Sequence, residues 1–276
     1  MSLPCYPLND GAALPQVGFG TYPLKGEEGI AAMLTALEAG YRLLDSAVNY
    51  ENEREVGEAL RRSGLPREEV LVTTKVPGRF HQREKVIASV EDSLRTMQLE
   101  RLDLVLIHWP NPRIGRYVEA FAALVECRER GLVRSVGVSN YTQAHLEEVI
   151  ASTGVTPAVN QIELHPAFPQ VDMVAAHQRL GIVTQSWSPI ARMTSTPQLV
   201  SDLAEQYDVT PAQVILRWHL QRGLLPLPKS ADPARQRTNL DLFSFALSAE
   251  EVAAVTALGR PEGRQWGFDP DSHEEM

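Results

Sequence analysis

Two short apolar runs, Val70-Leu71-Val72-Thr73-Thr74-Lys75-Val76 and Leu102-Asp103-Leu104-Val105-Leu106-Ile107-His108-Trp109, flank an amphipathic segment, Gln82–Met97. The runs are almost continuously apolar, as parallel strands covered on both faces are, and the segment between them has helical spacing. This is one strand–helix–strand unit, and the same alternation extends in both directions. Further strand-like runs are Gln16–Gly20, Tyr41–Ser46, Val133–Ser139, Ala158–Leu164, Ile182–Trp187 and Leu224–Pro228. Helical patterns fill the gaps at Glu27–Ala39, Glu53–Arg62, Tyr117–Arg130, Gln143–Ser152, Gln170–Leu180, Pro197–Tyr207 and Pro211–Gln221. Arg235–Leu240 and Ser248–Leu258 read as two further helices.

Eight alternations with no linker predict one domain over residues 1–276: an α/β chain closed into a (β/α)8 TIM barrel with two extra helices and a C-terminal loop. An open doubly wound sheet is the structural rival. Gly40, Gly64, Gly131, Gly181 and Gly223 stand where helices should end, and Thr210-Pro211 reads as a helix start. Gly259–Met276 lacks periodicity and is expected as a surface loop or a partly disordered tail.

Of 276 residues, 43% are hydrophobic and 22% charged, so a sizeable core is affordable. The net charge of −9 argues against a nucleic-acid surface. The two cysteines, Cys5 and Cys127, sit in no disulfide or metal-ligand pattern. No apolar run reaches bilayer length, and Met1–Asp10 is not a signal peptide. The expectation is a cytoplasmic protein with no membrane or nucleic-acid partner and no metal.

Barrel enzymes gather their chemistry at the C-terminal ends of the strands. Here those ends carry Asp45, with Tyr50 five residues on, then Lys75, His108 and Trp109, Ser139 and Asn140, Gln161, Trp187 and Ser188, and Lys229 and Ser230. Singly, each has an ordinary reading: Asp45 a turn cap, Tyr50 packing, Lys75 a snorkelling lysine, His108 a core histidine. Together they make a proton-supply device. A phenol titrates near ~10, and a nearby ammonium favours its ionised form. Lys75 would supply that ammonium, Asp45 would keep it charged, and His108 would donate to a substrate oxygen.

These residues resemble the aldo-keto reductase superfamily, and the match spans nearly the whole chain. Gly18-Phe19-Gly20-Thr21-Tyr22 resembles the family's first-strand segment, with Tyr22 lining the substrate pocket. Leu44-Asp45-Ser46-Ala47-Val48-Asn49-Tyr50-Glu51-Asn52-Glu53 resembles its signature, and Thr73-Thr74-Lys75 and Leu106-Ile107-His108-Trp109-Pro110 its lysine and histidine segments. The overall pattern is similar to bacterial diketogluconate reductases.

The resemblance implies catalysis by Asp45, Tyr50, Lys75 and His108, with NADPH as cofactor and a small carbonyl compound as substrate. It implies that Ser139, Asn140 and Gln161 bind the nicotinamide carboxamide and that Trp187 stacks on the ring beside Ser188. Lys229, Ser230, Arg235 and Asn239 would hold the adenosine phosphate at a helix start, and Gly20 and Thr21 would also border the cofactor. Tyr22 and Trp109, with Phe80 and the tail around Trp266 and Phe268, would make the pocket apolar. The family is often monomeric. Gly18-Phe19-Gly20 is not a dinucleotide loop, because Pro23 stands where a third glycine belongs. Three departures are visible: Val76–His81 lacks a tryptophan many members carry, Ile190–Pro197 is short, and Thr238 replaces an acidic residue. A Schiff-base barrel aldolase using Lys75 and a non-catalytic NADPH-binding barrel stay open as rival readings.

Overall fold

A computed structural model describes residues 3–191 and 196–276. Strands β3 (Phe19–Gly20), β4 (Leu43–Asp45), β5 (Leu71–Val76), β6 (Leu102–Ile107), β7 (Val133–Ser139), β8 (Val159–Glu163), β9 (Val183–Trp187) and β10 (Leu225–Pro226) lie side by side in chain order. Every pairing is parallel, for example Thr73 beside Leu104 and Val105 beside Val136. The first and last strands are joined by two backbone hydrogen bonds, Gly18 N–H to Pro226 O and Gly20 N–H to Pro228 O, each 3.1 Å. The sheet therefore closes on itself, as the alternation predicted. The closure is tight at Gly18: a Cβ there would meet Leu227 Cδ2 at 2.5 Å and Leu43 Cδ2 at 2.9 Å, so those side chains would have to move.

The helices are α1 (Gly26–Ala39), α2 (Glu53–Ser63), α3 (Arg83–Met97), α4 (Tyr117–Glu129), α5 (Gln143–Thr153), α6 (Val171–Leu180), α7 (Gln198–Gln206), α8 (Pro211–Gln221), α9 (Pro233–Leu240) and α10 (Ala249–Thr256). The end signals act as read. Gly40 and Gly64 cap α1 and α2 with φ of 116° and 68°, and Thr210 forms a capping box with Gln213 ahead of Pro211. One detail differs. The helix expected at Arg235–Leu240 as an addition is α9, which packs between α1 and α8 and completes the ring of eight. The two helices beyond that ring are α7 and α10, both laid against α8.

The sequence reading missed an N-terminal hairpin, β1 (Cys5–Pro7) with β2 (Ala13–Pro15). Its strands are too short to show periodicity, but Asp10-Gly11 in its turn is a hairpin signal. Leu8, Ala12 and Leu14 pack on Leu43, Leu104, Ala158 and Leu225, sealing the N-terminal end of the barrel. The C-terminal end stays open, so the reactive groups have somewhere to meet a substrate.

Candidate active site

A cavity of about 630 Å³ opens at that end, lined by Gly20, Thr21, Tyr22, Asp45, Tyr50, His108, Trp109, Asn140, Gln161, Trp187, Ser188 and Lys229. Eight strand ends point there, which is why residues 20 to 229 converge. A second groove, of about 800 Å³, lies at the opposite end, between Leu60, Arg67, Met97 and Asp103. It holds no comparable set of reactive groups; Arg67 there is paired with Asp103 at 2.6 Å.

Lys75 is fully buried on β5, and its Nζ donates to Asp45 Oδ2 at 2.6 Å, Ser46 O at 2.8 Å and Tyr50 Oη at 3.4 Å. Asp45 ends β4. Its other oxygen, Oδ1, accepts from Gln161 Nε2 at 2.8 Å, and Gln161 Nε2 also donates to Gln185 Oε1 at 2.9 Å. Tyr50 arrives on a short turn, Val48–Tyr50, that follows β4. Its ring stands edge-on to His108, centroids 5.9 Å apart. Burial alone would push the Lys75 ammonium down, but Asp45 and Tyr50 together hold it above its ordinary value. A Schiff-base lysine has to be neutral and face its substrate; this one is charged and enclosed.

The phenol departs from expectation. Burial pushes Tyr50 above its ordinary value; Lys75 pulls it down, Asp45 and Glu275 push it up, and the net direction is upward. The ammonium is present as predicted, but in the protein alone desolvation outweighs it, because a buried phenolate is costly.

A second network holds the frame. Asn52 Nδ2 donates to Thr21 O and Leu24 O, each at 3.0 Å, and Ser46 Oγ donates to Asn52 Oδ1 at 2.7 Å. Thr21 is fully buried, and its hydroxyl donates to Asp45 O at 2.9 Å. Asn52 stood in the signature stretch without a role; its amide ties β3 to the turn that carries Tyr50.

On the far wall, Ser139 Oγ donates to Gln161 O at 2.8 Å. Asn140, in a left-handed conformation with φ of 62°, donates through Nδ2 to His108 O and to Ser139 Oγ, each at 3.0 Å. Trp187 Nε1 donates to Asn140 Oδ1 at 2.8 Å, which fixes the indole at the cavity wall. Beyond β10, Lys229 and Arg235 are exposed, while Ser230 and Asn239 are buried. The start of α9 is not a free anion site. Asp232 Oδ1 already accepts from Ala234 N at 2.8 Å and Arg235 N at 3.1 Å. Any phosphate grip there comes from side chains, chiefly the Arg235 fork and Lys229. Two amides and a hydroxyl beside a flat indole, with exposed cations past the rim, fit a nicotinamide nucleotide.

Phe80 is not among the cavity-lining residues; it packs against the core and under Arg79. The tail departs most from expectation. It crosses the cavity mouth, and Trp266, Phe268, His273 and Glu275 line it. Trp266 and Phe268 were anticipated; His273 and Glu275 were not. A tail without periodicity shows no burial pattern in sequence, so only packing reveals it. The shortened stretch Ile190–Pro197 falls in part on residues 192–195, outside the described residues.

The sequence matches the Aldo/keto reductase family over residues 16–260. The chain belongs to the aldo/keto reductase family. This aldo/keto reductase is 54% identical over 277 aligned residues, 100% of this chain and 99% of the other, to 2,5-diketo-D-gluconic acid reductase B of Corynebacterium sp. (strain SHS752001). It is 42% identical to methylglyoxal reductase DkgA of Escherichia coli (strain K12), over 96% of each chain. A solved variant of Gox0644 in complex with NADPH superposes with a TM-score of 0.94 at 39% identity, over 99% of this chain and 100% of that one. The protein is an oxidoreductase with the (β/α)8 fold of its family. Among the described residues, no helix is long and apolar enough to cross a membrane and no group of metal-ligating side chains is assembled.

Proposed function

We propose that the protein reduces aldehydes and ketones to alcohols with NADPH, Tyr50 giving the proton to the carbonyl oxygen. The observation that carries the reading is the Asp45–Lys75–Tyr50 chain, its first two members buried and its tyrosine half-buried, at the floor of an open cavity. NADPH supplies the hydride. The rest falls to the chain's own residues. Ser139, Asn140 and Gln161 hold the carboxamide, and Trp187, next to Ser188, covers one face of the ring. Lys229, Ser230, Arg235 and Asn239 hold the adenosine phosphate, with Gly20 and Thr21 bordering the site. His108 donates to the carbonyl oxygen and aims it at Tyr50. As the phenol gives up its proton, Lys75 stabilises the oxygen left behind, an electrostatic effect that a water-poor site strengthens.

Tyr22, its ring tilted 56° against Tyr50 with centroids 5.1 Å apart, and Trp109 give the substrate apolar walls. That favours small carbonyl compounds, of the kind named for the methylglyoxal reductase the chain resembles. We read the chain as a monomer of the cytoplasm, which its two free cysteines support. The test is a carbonyl panel followed by nicotinamide absorbance. Wild type should turn over, and Tyr50→Phe should lose at least ~100-fold in kcat while still binding NADPH. Equal rates in the two proteins would remove Tyr50 from the role.

A further inference from the structure

Residues 273–275 are held at the mouth of the reductase site by several polar and packing contacts. Gly78 makes room: a Cβ there would lie 2.3 Å from the carbonyl oxygen of Glu275. Asn111 Nδ2 donates to that same oxygen at 2.5 Å. Arg113 N–H donates to Glu274 Oε1 at 2.6 Å, and Asn49 Nδ2 to Glu275 Oε1 at 2.7 Å. His273 packs on Trp109, ring centroids 4.4 Å apart. The result is a largely buried carboxylate whose Oε1 lies 2.7 Å from His108 Nδ1. Its second oxygen, Oε2, is buried without a hydrogen-bond partner. Burial pushes the Glu275 carboxyl up, but His108 and Asn49 outweigh it and hold it below its ordinary value.

We propose that Glu275 is a specificity-determining residue: the chain's own carboxylate takes the place beside His108 that a substrate carboxylate would need, so uncharged carbonyls are favoured over 2-oxo acids. The inference rests on the carbonyl-reductase reading of this cavity. A carbonyl oxygen aimed at Tyr50 and His108 puts any carboxylate on the neighbouring carbon within a few ångströms of Glu275. Lys75 does not offset that charge, because it is already paired with Asp45. An anionic substrate either tolerates the like charge or displaces Glu275 from Asn49, Asn111 and His108. Both routes disfavour the acid. Glu275 also engages Nδ1 of His108, which leaves Nε2 as the nitrogen available to a substrate.

The test pairs methyl pyruvate with pyruvate, one reacting ketone with and without an adjacent charge. Their kcat/KM ratio is measured with NADPH for wild type, Glu275→Gln and Glu275→Asp. Wild type should favour the ester, and Glu275→Gln should move the ratio toward the acid by at least ~10-fold, the scale expected for a like charge a few ångströms away in a shielded site. Glu275→Asp should retain the ester preference. A ratio unchanged by Glu275→Gln overturns the proposal, whatever happens to either rate alone. Binding gives a readout free of turnover. Benzoate and benzamide are titrated into each protein by the fluorescence of Trp109, Trp187 and Trp266. Benzoate alone should tighten in Glu275→Gln; parallel changes for both would refute the charge role. Failure on every carbonyl would sink the reductase reading, and the benzoate titration would still decide whether Glu275 governs anion entry.

Discussion

Lys75 Nζ lies 2.6 Å from a carboxylate oxygen of Asp45 and 3.4 Å from the hydroxyl of Tyr50, and the lysine is wholly inside the barrel. Stability and activity should separate here. Asp45→Ala leaves an ammonium buried without its charge partner and should cost about 3–5 kcal/mol in urea unfolding. Combining Asp45→Leu with Lys75→Met removes both charges and should recover much of that loss, while carbonyl reduction stays abolished. If the double variant is as unstable as Asp45→Ala, the pair does not matter to folding in the way stated.

Burial holds the Tyr50 phenol above its ordinary value, so it keeps its proton through neutral pH. A protonated phenol suits carbonyl reduction; the reverse reaction needs the phenolate. Alcohol oxidation should therefore quicken as pH rises from neutral into the alkaline range, while kcat for reduction does not rise with it. Profiles of both directions check this, and parallel profiles would contradict it.

Arg235 is exposed and Lys229 sits at the rim of the cavity, whereas Asp232 occupies the first amides of α9. In the proposed reading the phosphate contact depends on these two side chains. Lys229→Ala with Arg235→Ala should weaken NADPH by roughly 10-fold or more, since charge-assisted contacts to phosphate are among the stronger hydrogen bonds. NADH should change far less. Fluorescence titration with both nucleotides measures this; equal weakening would remove the phosphate role.

Gly18 is where the barrel closes. Gly18→Ala would press a methyl into Leu227 and Leu43 and should cost about 1–3 kcal/mol, read as a lower Tm. A wild-type Tm would mean that β3 and β10 have slack.

His177 is buried between Asn160 Nδ2 at 2.9 Å and Thr184 Oγ1 at 2.8 Å, and burial pushes it down to about 4. Unfolded, it titrates near ~6.5. Between those values the unfolded chain binds the extra proton, so stability is full above about 6.5 and falls as pH drops toward 4. His177→Gln should flatten that part of the stability–pH curve, measured by urea midpoints. An unchanged slope would assign the loss to other groups.

The alternation of strand and helix was legible in the amino-acid order, and it pointed to the barrel; the bonds from Gly18 and Gly20 to Pro226 and Pro228 close it. A nearly continuous apolar run such as Leu104–Ile107, bounded and repeated as these are, suits a parallel strand covered on both faces. The residues toward the strand ends were legible too: Asp45, Lys75, His108 and Asn140 stand at or just after the close of an apolar run, and Gln161 lies within one.

Tertiary structure decided what those residues do to one another. Desolvation is a property of the surroundings, so no motif could reveal that burial outweighs Lys75 at Tyr50. Asp232 consumes the α9 amides through a local turn that the basic residues around it conceal. The tail is the clearest case. Residues 259–276 carry no period, and their place over the cavity is set by Gly78, Asn49, Asn111 and Trp109, more than 150 positions away in the chain. A contact between Glu275 and His108 belongs to neither segment. It exists only because the barrel mouth brings the two together.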